Sequence, residues 1–327
     1  MRAPGFWAGP PGVWSTLLAP LGALYATGTA RRVARAGERI GVPVICVGNL
    51  SAGGTGKTPT VAWLVELLAA RGVAAQVVSR GHGGTLEGPV RVDPARHGAD
   101  AVGDEPLLLS AFAPTWVAKD RLAGARAAVA AGAAAVVLDD GFQNPALEKD
   151  LSIVVIDAEA GFGNGRVIPA GPLREPVETG LARADLVLSI GPAAAQERLE
   201  VPGSAPRLRG RLAPLRTGMD WRGLPVFAFA GIGRPEKFFE TLRSLGAEVR
   251  GTAALADHQP LTPALVKRLG ERAARLSAQP VTTEKDAVRL PASLRGRVLV
   301  LPVRLEVEDA APLEAALDRL FGAGPGT

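Results

Sequence analysis

The chain has 327 residues, 47% hydrophobic and 21% charged, which suits one large or two modest domains and leaves little room for long disorder. Its net charge of +5 fits anionic lipid or a phosphorylated substrate, but aromatics are only 5% and do not interleave with a basic stripe, so nucleic-acid binding gains no support. A single cysteine, Cys46, excludes an intrachain disulfide framework and a multi-cysteine zinc site, and reads as a small apolar strand residue.

The first segment, residues 1–36, is set apart by its charge pattern. Arg2, Arg31, Arg32, Arg35 and Arg39 against Glu38 put +4 of the net +5 into the first 40 residues. Between Arg2 and Arg31 there is no charge, and Trp14, Leu17, Leu18, Leu21, Leu24 and Tyr25 recur at helical spacing. Pro20 and Gly22 interrupt the run, which falls short of the ~20 continuous apolar residues of a membrane span. The pattern predicts an interfacial helix with aromatic rings at headgroup level and arginines beyond it. A secretory signal peptide and a helix packed on the protein's own core are the other two readings.

Residues 37–224 read as an α/β unit. Strands are predicted over Val42–Val47, Ala74–Ser79, Ala133–Leu138, Leu151–Asp157 and Leu186–Ile190, and helices over Thr58–Ala70, Glu105–Phe112 and Arg121–Ala131. Alternation of this kind implies a mostly parallel sheet with helices on both faces. Between the first strand and its helix lies Gly53-Gly54-Thr55-Gly56-Lys57-Thr58, followed by Pro59. Amides at a helix N-terminus point at phosphates, and glycine lets the backbone approach them. Lys57 would pair with the β- and γ-phosphate oxygens of ATP, and Thr58 would ligate Mg²⁺. The strict phosphate-loop pattern has glycine where this chain has Ser51. Asp139 and Asp140, after the apolar strand, are the candidate carboxylates for the metal.

Residues 192–224, rich in Pro, Arg and Gly, read as a connection with some strand content. A smaller α/β unit is expected over 225–327, with strands at Val226–Ala230, Glu248–Gly251 and Val298–Val303. Its helices are placed at Pro235–Leu245 and from Thr262–Pro263, an N-cap followed by proline at the first helical position. The tail Gly322–Thr327 is expected to fray.

An ordered set of further motifs narrows the chemistry. It comprises Gly48-Asn49-Leu50, Ser79-Arg80-Gly81, Val102-Gly103-Asp104-Glu105-Pro106, Asp139-Asp140-Gly141-Phe142-Gln143, Phe162-Gly163-Asn164-Gly165, Pro169-Ala170-Gly171-Pro172-Leu173-Arg174-Glu175-Pro176, Asp257-His258 and Thr283-Glu284-Lys285-Asp286. This set resembles that of the lipid A 4′-kinases, the tetraacyldisaccharide 4′-kinases, from the N-terminal segment to about residue 290. The Val-Gly-Asp-Glu-Pro and Pro-Ala-Gly-Pro-Leu-Arg-Glu-Pro runs are the most specific.

The resemblance implies transfer of the ATP γ-phosphate to the 4′-hydroxyl of an acylated glucosamine disaccharide 1-phosphate at the cytoplasmic face of the bacterial inner membrane. No nucleic acid is expected, and no obligate protein partner is evident in the sequence. The resemblance also implies a P-loop domain and a smaller C-terminal α/β domain with the site between them. By position, Asp104 is the expected base, with His258 its partner and Asp257 beside it; Glu175 joins Asp139 and Asp140 around Mg²⁺. Arg80, Arg121, Gln143, Asn144, Asn164 and Arg174 are expected to contact the substrate. Two positions depart from the family pattern: His82 stands where tyrosine is expected, and Asn144 where histidine is expected. Without the resemblance, Asp104 reads as a helix N-cap and His258 as a surface histidine, and Lys285 has no physical role.

A membrane-associated regulatory ATPase of the partitioning type is the alternative. That class carries a lysine where this chain has Ala52. A P-loop GTPase lacks support, because no Asn-Lys-x-Asp motif is present.

Overall fold

The structure, a computed structural model, describes residues 4–322. Arg2 and residues 323–327 of the tail expected to fray lie outside the described residues. The first unit is built on strands β1 (Val44–Gly48), β2 (Ala75–Ser79), β3 (Val90–Arg91), β4 (Thr115–Val117), β5 (Ala135–Asp139), β6 (Leu151–Asp157), β7 (Leu186–Ile190) and β8 (Arg207–Pro214). The second unit adds β9 (Pro225–Ala230), β10 (Glu248–Ala254), β11 (Gln279–Thr283) and β12 (Leu299–Leu301), and β13 (Val303–Val307) follows. The large sheet runs β13-β8-β7-β6-β1-β5-β2-β4-β3 and the small one β10-β9-β11-β12. All pairings are parallel except β13 with β8 and β3 with β4, both at edges of the large sheet. The α/β class with a mostly parallel sheet is therefore as expected.

Period-two alternation explains why the strands read as continuous apolar runs. Ile45 and Val47 of β1 face one core with Val137 of β5 and Val155 of β6. Val44 and Cys46 face the opposite core with Leu138 and Ile156. Both faces are covered, so these central strands carry apolar residues on both sides. Cys46 is fully buried, and that burial pushes its thiol up to about 12, so it packs as a small hydrophobe.

The end of the chain departs from expectation. The single late strand predicted over Val298–Val303 is two strands, β12 and β13, in different sheets. Pro302 separates them; it has no amide to donate, and its carbonyl accepts from Leu215. The four strands of the small sheet therefore end at Leu301, and the last strand returns to the large sheet beside β8. A helix that periodicity reasoning missed, Ala311–Phe321, follows it. It buries Leu313, Ala316 and Leu317 in the same core as the phosphate-loop helix, Lys57–Ala70. The strands of the small sheet thus lie between 225 and 301, and β13 pairs with the large sheet.

The N-terminal helix is Val13–Val33, and no helix among the described residues is long and apolar enough to cross a membrane. Its polarity is inverted. Ser15, Gly22 and Thr29, seven residues apart, are buried against the protein, whereas Trp14 is 67% and Leu24 71% exposed. A Cβ on Gly22 would sit 2.9 Å from the carbonyl of Val167, so the close approach requires glycine.

Candidate active site

The phosphate loop follows β1 and ends at Gly56, whose φ of +95° opens the helix at Lys57. Asn49 shapes this loop from beneath. Its side-chain amide donates to the carbonyl of Ser51 at 2.7 Å and lies 3.2 Å from the hydroxyl of Thr55. The motif run 169–176 braces the same loop from outside. Ala52 donates to Pro172 and Arg174 to Leu50, both at 2.7 Å. The amides of Gly53, Gly54 and the residues that follow are thus held in place by backbone and amide bonds rather than by flexible side chains.

Asp139 and Asp140 lie at the end of β5, next to the loop-bearing β1. Asp139 is 1% exposed and takes a 2.9 Å hydrogen bond from Ser79, at the end of β2. Its other oxygen is buried without a partner. Burial first, then the charges of Glu105 and Asp140, push its carboxyl up to about 7 despite Lys57. Asp140 has a positive φ of 55°, a conformation that aspartate tolerates better than most residues. Burial opposes its ionisation too, but Lys57 at 3.7 Å and a bidentate Arg174 prevail and hold it below the usual carboxylate value.

These contacts redistribute the expected roles. Arg174 grips Asp140 and reaches Gln143 at 3.3 Å, so it organises the acidic corner. Glu175, expected beside the metal, is 2% exposed, accepts from Gln143 at 2.9 Å and pairs with Arg183. Gln143 in turn donates to the carbonyl of Asn49 at 2.8 Å. Both oxygens of Glu175 are therefore engaged away from the aspartate pair, and among the described residues no three His, Cys, Asp or Glu side chains converge as a metal-holding group. Arg121 is buried at the start of its helix and donates to Ala118 at 2.6 Å, while Arg80 is exposed after β2. Asn144 accepts from Ala146 at 2.8 Å and shapes its own turn.

Asn164, expected at the substrate, is hydrogen-bonded within the fold. Its amide donates to Ser15 at 3.2 Å and to Ala170 at 2.9 Å, and its oxygen accepts from Arg166. It clasps the N-terminal helix to the segment that leads into the 169–176 brace.

The base candidate is assembled across the two units. Gly103, with φ +89°, caps the helix Asp104–Leu109, so Asp104 is the first helical residue and not the cap. His258, also at positive φ (57°), comes from the loop after β10. Its Nδ1 lies 3.0 Å from one Asp104 oxygen and 3.1 Å from the other. The amide of Glu105 also donates to Oδ1 at 3.1 Å, and Oδ2 is the buried oxygen without a hydrogen-bond partner, the one left to accept. Burial pushes the Asp104 carboxyl up, but the bond from His258 and the charges of Lys285, His258 and Arg289 bring it below its usual value. The bond to Asp104 lifts His258 above its ordinary value, against burial and Lys285. Asp257 stands 3.7 Å from Nε2. The helix Asp104–Leu109 packs on the phosphate-loop helix, and Glu105, next to Asp104, contributes to the field at Asp139.

Sequence reasoning missed Asn49, Ser79, Glu105, Lys285 and Arg289 as parts of this site. Lys285 donates to Glu105 at 3.0 Å and lies 3.3 Å from Nε2 of His258; Nε of Arg289 is 3.8 Å from Asp104. The Thr-Glu-Lys-Asp run was the available signal.

Comparison with known proteins gives the same picture. A family model described as tetraacyldisaccharide-1-P 4′-kinase matches residues 14–322. The tetraacyldisaccharide 4′-kinase of Dinoroseobacter shibae is 66% identical, with 98% of each chain covered. That of a Jannaschia species is 64% identical over 98% of this chain and 100% of its own. The crystal structure of LpxK from Aquifex aeolicus in complex with ATP superimposes with a TM-score of 0.76 at 26% identity, covering 94% of this chain and 99% of the other. With a glycine loop after the first strand, an aspartate pair one strand away and a match over nearly its whole length, the chain belongs to the tetraacyldisaccharide-1-P 4′-kinase family.

Proposed function

We propose that the chain transfers the γ-phosphate of ATP to the 4′-hydroxyl of a tetraacyl glucosamine disaccharide 1-phosphate, with Asp104 as the base. The observation that carries this reading is the Asp104–His258 contact, which joins a carboxylate beside the phosphate-loop helix to a histidine from the other unit. Asp104 accepts the proton of the attacking hydroxyl through the oxygen that His258 leaves open. Lys57 and the amides of Gly53, Gly54, Thr55, Gly56 and Thr58 take the phosphates, with Pro59 setting the first helical turn.

The orphaned, buried oxygen of Asp139 fits a cation, and Mg²⁺ is held by one or two carboxylates with phosphate oxygens and water. Thr58, Asp139 and Asp140 would hold it, and when bound it neutralises charge on the phosphates. Glu175 supports Gln143 and, through it, the loop. Arg80, exposed after β2, is the cation assigned to the sugar 1-phosphate on this reading.

The exposed apolar face of Val13–Val33, with Arg31, Arg32 and Arg35 at its end, lies against the cytoplasmic face of the inner membrane and meets the lipid substrate there. Buried in the interface, each large apolar side chain contributes up to about 1.5–3 kcal/mol. The test is an assay with ATP, Mg²⁺ and the tetraacyl disaccharide 1-phosphate in detergent. A second phosphate on the lipid is expected. ATP hydrolysis without lipid phosphorylation overturns the reading.

A further inference from the structure

We propose that Lys285 is a positioning residue for this phosphoryl transfer: its ammonium donates to Nε2 of His258 and fixes the tautomer that donates from Nδ1 to Asp104. The inference rests on the reading of Asp104 as the base and deepens it by assigning the control of that base.

Imidazole has two nitrogens, and the partner of one decides what the other can do. Nδ1 of His258 faces only the Asp104 carboxylate, at 3.0 and 3.1 Å. Nε2 has two neighbours of opposite kind. The ammonium of Lys285 lies 3.3 Å away, within hydrogen-bond reach, and the Asp257 carboxylate 3.7 Å away, outside it. An ammonium carries donors only, so its bond to Nε2 requires that nitrogen unprotonated. The ring proton then sits on Nδ1, where Asp104 accepts it. The opposite tautomer would set a lone pair against the Asp104 carboxylate and an N–H against the ammonium, and both contacts repel.

Lys285 is itself held on this line. Its ammonium donates to Glu105 at 3.0 Å, so the residue after the base anchors the group that orients the base's partner. Burial pulls the Lys285 amine down, but Glu105 and Asp104 more than offset it and the group stays charged. The remaining groups around the ring are Arg289, whose Nε is 3.8 Å from Asp104, and the His82 ring, edge-on at 5.9 Å. Neither reaches Nε2 with a competing hydrogen bond.

A second consequence is electrostatic. A protonated His258 would place an N–H against the ammonium, so Lys285 opposes imidazolium formation while Asp104 and Asp257 favour it. The lysine therefore works against the upward pull of Asp104 on the imidazole.

The test uses the full chain in detergent and needs no turnover for its first half. The protein has three histidines, so ¹⁵N imidazole spectra are assignable with one histidine variant each. Above its titration, His258 is expected as the Nδ1–H tautomer; an Nε2–H tautomer in the unmodified protein overturns the proposal. In Lys285→Met the His258 titration should move up by about one pH unit or more, the effect of losing one adjacent cation. The acidic limb of kcat should follow it, with the KM for ATP unchanged and Lys285→Arg intermediate. A uniform loss of kcat at every pH, with the His258 titration unmoved, would reduce Lys285 to a strut on Glu105 and sink the idea. Failure of the underlying reading looks different: Asp104→Asn would then retain full transfer, whatever the tautomer of His258.

Discussion

The two halves of the site are built by different means. The phosphate cradle lies within one sheet. Asn49, Gln143 and the 169–176 brace hold it through hydrogen bonds to backbone, and its acidic corner is closed by a bidentate arginine. The base side spans two sheets, and side chains alone span the gap: Asp104 and Glu105 from one unit meet His258 and Lys285 from the other. The cradle is braced by bonds to backbone within one unit. The proposed base, Asp104, keeps its histidine partner only while the units are together. On the proposed assignment, the arrangement separates nucleotide binding, drawn from one unit, from proton removal, which draws on both.

The sharpest way to break this comparison is Asp104→Asn. Transfer should fall by as much as about 10⁴-fold, the upper range for a lost general base, with ATP affinity measured by calorimetry unchanged. Loss of nucleotide binding in that variant would merge the two halves. Lys57→Ala should do the converse, lowering transfer by about 10²–10³-fold and weakening ATP binding in the same titration. Asn164→Ala addresses the cradle's outer support. It strips a buried clasp from Ser15 and Ala170 and should cost about 1–3 kcal/mol in denaturant unfolding, with ATP affinity little changed.

The smallest expected effect is a pH dependence of the cleft contact. The folded-state value of His258 is raised above 6.5 by Asp104, so the extra stability of the charged ring is fully present below that pH and is lost as pH rises through the raised value, where the neutral ring keeps only its Nδ1–H bond. The Tm difference between the wild type and His258→Gln should be largest near pH 6 and shrink toward pH 9. A difference that grows with pH would reverse the assignment.

How far the sequence could be read follows the same division. β6 and β7 are legible to the residue, because a strand buried on both faces is a continuous apolar run with sharp ends. The phosphate loop is legible because glycine spacing and a following helix leave few alternatives. Edge elements are not: β3 has two residues and β4 three, too few to show a period. The break at Pro302 was hidden because the residues on both sides are equally apolar; only pairing partners separate β12 from β13.

Among site residues, Asp104 and His258 came from the family resemblance, since a lone aspartate and a lone histidine carry no spacing signal. Asn164 and Glu175 show a different side of the same point. They sit in specific motif runs, yet their polar atoms are spent inside the fold, on the N-terminal helix and on Gln143 and Arg183. Lys285 was visible as part of a motif but had no role until the topology set β11 next to β9 and brought its loop to His258.

The paired exits of the smaller unit have one more consequence. Pro214, where the chain leaves β8, lies opposite Val303, where it enters β13. The unit from 225 to 301 is therefore moored by two cables fastened side by side, not by one thread. A single proteolytic nick between 215 and 224 would leave it still attached through β13, and only a second cut would set it adrift.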